Sequence, residues 1–549
     1  MARQPAERAW LARSLSGLAA CCALLGATSG GVAQTLGLPT MPGSQMPMSG
    51  GSLGRPQPGA TERGPTFDVQ YGVRSGVLAS DASTQGATTQ GSASRQSLEI
   101  TPYLNASWRS ATTQASLGWQ LRHFDTRTGD RQDSFLRHDL RASLDSLLLG
   151  DWLGVQAGAS IFNTNATLGG VQSVDPASSA ANNAVLRTAF VSPYAQGRLG
   201  ALATWRLRYR QDHTDTSGGV NAALAQTAHL IDASLAGGPM FNPWSWAVNA
   251  SGQRREFPGG VSLDSTSALL AGYYVPSSEL RLGATLNHLH IERLANASGA
   301  TGGWGPGLSV DWAPSRRTTM RGAFARQYFG NTGTLAFAHR SQQLVLGAEL
   351  SRSILQSNSA ALLTFNPATV FSAGGFSPAL NPLFAQLNAV GLLSSTDVVI
   401  GTPIINDALV RNRNISVSAG WIARHWSATA TAFRNRRETL ISSTVFGVPD
   451  ALAPAAFGSF DSRGLTLNGN IALGERHSLG LTGLVRESAQ SETGLKVRLS
   501  FVQAALNARL DARTSASLAL RRSVQTGEGP AAVSSDETAL FGVLDFRMR

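Results

Sequence analysis

The chain predicts an all-β fold, a transmembrane antiparallel up-and-down β-barrel of about 22 strands, within roughly 18 to 24. Three features of its 549 residues predict it. From Pro65 onward, short runs alternate apolar and polar side chains, as a wall with lipid on one side and water on the other requires. The connections between runs alternate between tight and long. The first residues carry an export signal.

Residues 1–33 read as a cleaved signal peptide. Arg3, Arg8 and Arg13 form its positive region, residues 15–27 its apolar core, and Gly31, Val32 and Ala33 its small-residue cleavage site, so the mature chain would start at Gln34. Leu18, Ala19, Ala20 and Cys21 also resemble a lipobox, which would lipidate Cys21, but the apolar stretch after Arg13 is short for that purpose. Both cysteines, Cys21 and Cys22, fall in the leader, and its removal leaves neither a disulfide nor a thiolate metal site. Residues 34–64 are rich in Gly, Pro, Met and Ser, with too little bulky apolar content for a core, and read as a disordered periplasmic linker. Met41, Met46 and Met48 have no His or Cys beside them, which argues against a copper site there.

Residues 65–549 form the barrel. After the leader no apolar run reaches the roughly 20 residues of a membrane-spanning helix. The mean hydropathy of −0.05 fits a barrel, which averages a polar lumen against an apolar exterior. The formal charge is +11, and loss of Arg3, Arg8, Arg13 and Glu7 with the leader leaves +9. The bases are arginines apart from Lys496, and they recur on alternate strand positions instead of clustering, which argues against a nucleic-acid partner.

The strands read by face. Phe67, Val69, Tyr71 and Val73 alternate with Asp68, Gln70, Gly72 and Arg74; Ala115, Leu117, Trp119 and Leu121 alternate with Gln114, Ser116, Gly118 and Gln120. Ala203, Trp205, Leu207 and Tyr209 alternate with Thr204, Arg206, Arg208 and Arg210. An arginine at the bilayer midplane costs about 2–4 kcal/mol, so these three arginines face water or a paired lumen network.

Tight turns are expected at 109–113, 149–151, 198–200, 276–279, 313–317, 474–476 and 511–514, and longer loops at 80–95, 166–184 and 211–223. Short periplasmic turns and long external loops put both barrel ends on the periplasmic side and require an even strand count. Trp108, Trp152, Trp244, Trp246, Trp304, Trp312, Tyr328, Trp421 and Trp426 near strand ends read as interfacial girdles. Residues 356–407 break the rhythm, with several prolines and a short helical pattern at 383–393. A barrel of this size encloses a lumen wide enough to need filling, so this segment is either an inward plug or lid or a long external loop.

Some of these runs resemble a family. Thr101-Pro102-Tyr103-Leu104, Leu140-Arg141-Ala142-Ser143-Leu144 and Trp152-Leu153-Gly154-Val155 are similar to segments of the outer-membrane β-barrel proteins associated with PEP-CTERM/exosortase systems, a group near the porins. So are Val410-Arg411-Asn412-Arg413, Ala419-Gly420-Trp421 and the run from Ala432 through Arg434 and Arg436 to Glu438. The resemblance spans essentially the whole mature chain and implies a role in the outer membrane beside exopolysaccharide synthesis and export, with no family catalytic residues. One departure concerns assembly: barrels of this kind commonly end in an aromatic residue, whereas this chain closes Phe546-Arg547-Met548-Arg549.

Enzymatic patterns do not assemble. His288 and His290, with Glu292 beyond, have chelating spacing but share the face of Leu282, Ala284 and Leu286, as imidazoles at a lipid–water boundary would. Asp212-His213-Thr214-Asp215 resembles half of a protease site with no second half, and reads as a solvated external loop. Gly302-Gly303-Trp304-Gly305-Pro306-Gly307 lacks the strand–loop–helix context of a phosphate cradle. No catalytic residue, metal or cofactor is expected.

The arginines are the functional candidates. Arg206, Arg208 and Arg210, with Arg411, Arg413, Arg434 and Arg436, would line a wet lumen and favour anionic solutes or an acidic polysaccharide. The alternative is that lumen arginines pair with carboxylates such as Asp139, Asp145 and Glu487 and hold the wall together. Arg411 and Arg413 also share a face with Ile415 and Val417, which would put them past the membrane boundary. The expected protein is a passive porin-like barrel of the Gram-negative outer membrane, serving exopolysaccharide export or surface handling; the other reading is a non-conducting structural or assembly barrel. The partners implied are outer-membrane lipid and lipopolysaccharide, exopolysaccharide or its export machinery, and the barrel assembly machinery.

Overall fold

The computed structural model describes residues 65–86, 90–165, 183–217, 225–256, 262–292, 299–315, 317–356, 364–365, 398–399, 409–439, 459–491, 493–529 and 532–548. The expected leader, the lipobox cysteine, the linker, the helical pattern at 383–393 and nearly all of 356–407 lie outside the described residues.

The strands are β1 (Thr66–Gly86), β2 (Gln90–Arg109), β3 (Thr113–Thr128), β4 (Arg131–Leu149), β5 (Leu153–Asn165), β6 (Asn183–Leu199), β7 (Ala203–Ser217) and β8 (Gln226–Gly237). Next come β9 (Trp244–Glu256), β10 (Ser262–Ser277), β11 (Leu280–Ile291), β12 (Gly302–Ser315), β13 (Thr318–Gln327), β14 (Gly330–Arg340), β15 (Leu344–Gln356), β16 (Thr364–Phe365) and β17 (Val398–Val399). The last are β18 (Leu409–Ile422), β19 (Trp426–Thr439), β20 (Phe460–Ala472), β21 (His477–Gln490), β22 (Lys496–Arg509), β23 (Thr514–Glu528) and β24 (Val533–Met548). Among the described residues β16 and β17 pair with each other alone. The others form one 22-stranded antiparallel sheet in which β15 passes directly to β18 and β24 returns to β1, from Tyr71 opposite Met548 to Gly86 opposite Val533. Closure removes the edges that an open sheet exposes, and satisfies backbone groups where lipid cannot.

Register keeps one face apolar around the ring. Leu207 stands opposite Ala195 and Ala233, and Leu350 opposite Leu335 and Ile415. Large apolar side chains on this face are open to the surroundings: Leu207 (49%), Val417 (54%), Val502 (63%) and Leu308 (67%). The opposite, concave face is polar, with small apolar clusters such as Leu78, Phe124 and Ala539. All three alternating runs read from the sequence take these faces.

The seven expected tight turns all occur, at the end where the barrel strands begin and finish; β8–β9, β14–β15 and β18–β19 join at the same end. The long-loop expectation needs correction at two places. Residues 80–85 and 90–95 pair as a hairpin, with Ser80 opposite Arg95 through to Gln85 opposite Gln90, and β7 runs through Ser217. Polar β-branched and small residues there keep pairing beyond the apolar band, because a ladder needs no lipid. At that same end β3 and β4 join through two residues, where Gly129 takes the positive φ (59°) that a tight reversal demands. Loop 166–182 lies outside the described residues.

The tryptophan girdle is one-sided. Trp108, Trp152, Trp244, Trp246, Trp312, Trp421 and Trp426 sit at the tight-turn end, and Trp304 and Tyr328 at the other. Burial pushes the Tyr328 hydroxyl, in the β13–β14 turn, up to about 12.

Between β22 and β23 the Asp511 carboxylate accepts hydrogen bonds from the Arg513 and Thr514 amides at 2.6 and 2.7 Å. The Arg513 amide, then the Thr514 hydroxyl and amide, hold this carboxyl below the usual range. A depressed folded pKa contributes stability that is present above the ordinary carboxylate pKa of about 4 and is lost as pH falls through the folded value. Asp511→Ala is therefore expected to lower the unfolding temperature at pH 7 but to match wild type at strongly acid pH, which thermal melts in detergent at both pH values check.

Candidate functional site in the lumen wall

The inner wall is organised by glycine. Five inward glycines each face an aromatic residue directly across the ladder: Gly72 and Tyr103, Gly154 and Tyr194, Gly158 and Phe190, Gly283 and Tyr273, and Gly464 and Phe433. In each pair a Cβ on the glycine would lie within 3 Å of the ring; at Gly158 it would be 2.4 Å from Phe190. The ring therefore lies down on bare backbone, covering what glycine leaves open.

Arginines lie over the rings in turn. Arg210 stands 3.9 Å above the Phe190 centroid, Arg206 4.6 Å above Tyr194, and Arg281 3.7 Å above Tyr273. Such stacking uses the face of the ring and leaves the guanidinium edge for anions. Two arginines of β7 are also held by carboxylates. Arg208 donates from Nε and Nη2 to Asp232 Oδ2 at 2.9 and 2.6 Å, and Arg210 grips Asp212 at 2.6 Å. The Tyr194 hydroxyl donates to Asp145, which also accepts from Gln156. Arg122 pairs with Asp139 at 3.1 Å. Arg206, Arg208 and Arg210 thus share the inner face of β7, the last two inside structural ion pairs.

Arg411, Arg413, Arg434 and Arg436 do not join them. They share parity with Ile415 and Val417 and stand opposite one another on the outer face of β18 and β19, beyond the apolar band: Arg413 faces Arg436, and Arg434 faces Ile415. Arg411 and Arg436 pair with Glu438, and Arg434 with Asp461. Glu487, expected as a lumen partner, pairs with Arg463 on that same outer face. Charges past the end of the band repeat with the same period as lumen charges, so spacing alone cannot separate the two.

Asp212, His213, Thr214 and Asp215 lie within β7, not in a loop. Alternation sends Asp212 and Thr214 inward and His213 and Asp215 outward, and Asp215 pairs with Arg187. They cannot converge on one substrate atom. His288 is on the outer face against Trp304, 4.9 Å between centroids, with His290 beyond it. Among the described residues no three His, Cys, Asp or Glu gather as a metal site.

The glycine–aromatic pairs escape a reading of faces alone. A glycine at an inward position of a clean strand is the available signal; its partner needs the register.

No family model matches the chain, and no curated protein matches it. Among solved structures, the FrpB iron transporter from Neisseria meningitidis aligns at 8% identity over 88% of this chain and 83% of its own, with a TM-score of 0.46. The ferric-catecholate import receptor Fiu from E. coli K12 aligns at 11% identity over 86% and 81%, with a TM-score of 0.41. The siderophore receptor PirA from Pseudomonas aeruginosa aligns at 10% over 87% and 80%, with a TM-score of 0.34.

Proposed function

We propose that this chain is a porin-like barrel of the Gram-negative outer membrane, passing polar and preferentially anionic solutes, and that it serves exopolysaccharide export or surface handling in a PEP-CTERM/exosortase-type system. The supporting observation is the closed ring itself: apolar side chains outward, and an inner wall of arginines held on aromatic rings. Arg141 and Arg281 add inward positive charge with no ion pair among the described residues. Rings lying flat beside guanidinium groups suit a sugar acid, which offers both apolar C–H faces and carboxylates.

The ion pairs of Arg208 and Arg210 favour a second reading, a non-conducting barrel that anchors other envelope components. Planar-bilayer recordings separate the two. The first expects stable openings with anions favoured over cations by severalfold. Silence at every voltage, also after removal of residues 356–407, would establish the second. The polysaccharide role is checked by loss of surface polymer on deletion of the protein.

A further inference from the structure

The outer face carries a second arginine array that the lumen reading does not use. Counting along the outward parity from the tight-turn end, β15 runs Leu344, Leu346, Ala348, Leu350 and then Arg352; β18 runs Trp421, Ala419, Val417, Ile415 and then Arg413. β19 reaches Arg434 from Trp426, β20 reaches Arg463 from Ile471, and β22 reaches Arg498 from Leu506, each after the same eight residues. Eight residues at about 3.4 Å, tilted by about 40°, rise roughly 21 Å, against an apolar band about 25 Å tall. The five arginines therefore form a shelf at the upper edge of the band. Elsewhere on the ring the same count from Ala115, Trp205 and Leu282 arrives at His123, His213 and His290, and from Trp246 and Thr318 at Arg254, which pairs with Glu256, and Arg326, so the densest run of such arginines lies over β15 and β18–β22.

Among the described residues its charges are only partly balanced, by Asp461 and Glu487. Register sets Arg352 opposite Arg413 and Arg413 opposite Arg436, like charges face to face. That arrangement is destabilising without a counter-anion. Arg434 and Arg463 have carboxylate partners, but Arg352, Arg413 and Arg498 have no ion pair among the described residues. The Nε atoms of Arg352 and Arg413 are buried without a hydrogen-bond acceptor.

We propose that this shelf over β15 and β18–β22 docks the phosphate groups of a phosphorylated glycolipid of the outer leaflet, its acyl chains lying down the apolar sector below. The proposal rests on the outer-membrane reading above. A lipid fits better than a free anion because the arginines continue a lipid-facing row: Ile415, Val417 and Leu350 beneath them would take acyl chains while the guanidinium forks take phosphate oxygens.

The test uses the full chain inserted in phosphatidylcholine nanodiscs doped with diphosphoryl lipid A, and the variant R352Q/R413Q/R498Q, which leaves every ion pair among the described residues in place. Retained lipid A after detergent exchange is read by native mass spectrometry, and the heat-modifiable gel shift reports folding of each protein. Wild type is expected to retain lipid A roughly tenfold more than the variant and to lose that excess with dephosphorylated lipid A, while millimolar inorganic phosphate does not displace it. Equal retention by two folded proteins, retention indifferent to the lipid phosphates, or displacement by inorganic phosphate would overturn the shelf as a lipid site. Failure of wild type to insert would instead remove the outer-membrane reading, and the shelf with it.

Discussion

Valine in place of Gly72 is expected to leave the protein unable to close its barrel, seen as loss of the heat-modifiable folded band and of membrane insertion. Gly72 lies in the ladder that joins β1 to β24, opposite Arg547. A Cβ there would sit 2.2 Å from the Phe546 carbonyl oxygen and 2.7 Å from the Tyr103 hydroxyl. The nearer atom is backbone, which cannot swing aside. Overpacking a well-fitted site costs about 1–3 kcal/mol, and displacing a strand costs more. The same Cβ would lift Tyr103 off the wall and break its 2.9 Å hydrogen bond to Asp545, a cross-seam contact between residues 442 apart in sequence. Gly542, on β24, is the control: its Cβ would meet nothing within 4 Å, and Gly542→Ala should fold like wild type.

The double variant Asp212→Asn, Asp232→Asn is expected to raise anion over cation permeability severalfold while the barrel still assembles. Both carboxylates face inward and each neutralises one arginine of the β7 row. Asparagine keeps a hydrogen-bond acceptor for the guanidinium but removes the charge, so Arg208 and Arg210 would present their full field to passing ions. About 1 kcal/mol of stability should be lost at the partly exposed Arg208–Asp232 pair, and more at Arg210–Asp212, whose carboxylate is buried. Reversal potentials in a salt gradient measure the ratio. An unchanged ratio in an open pore would place these arginines outside the ion path.

Much of this was readable in the bare sequence. Trp205, Leu207 and Tyr209 against Arg206, Arg208 and Arg210 fix both faces of β7, because a side-chain period of two has no other solution once one set is apolar. The tight turns at Asp511 and Gly200 announce themselves through residues that cap or reverse a chain. What alternation does not carry is height. Arg413 and Arg434 repeat like Arg208 and Arg210, yet they continue an outward row past the end of the band, and only the phase set by Ile415 and Val417 distinguishes them. Nor does it carry register: that Phe190 covers Gly158 and carries Arg210 follows from which residue meets which across two ladders. Partners such as Asp232 depend on the same information.

The pairing of the first strand with the last also imposes a schedule on biogenesis. Until β24 has been delivered, β1 has no mate on one side, and the growing sheet has two raw margins able to recruit other chains. So distant a contact forms slowly by unaided search. A nascent wall of this length therefore keeps both margins unpaired until its final segment arrives.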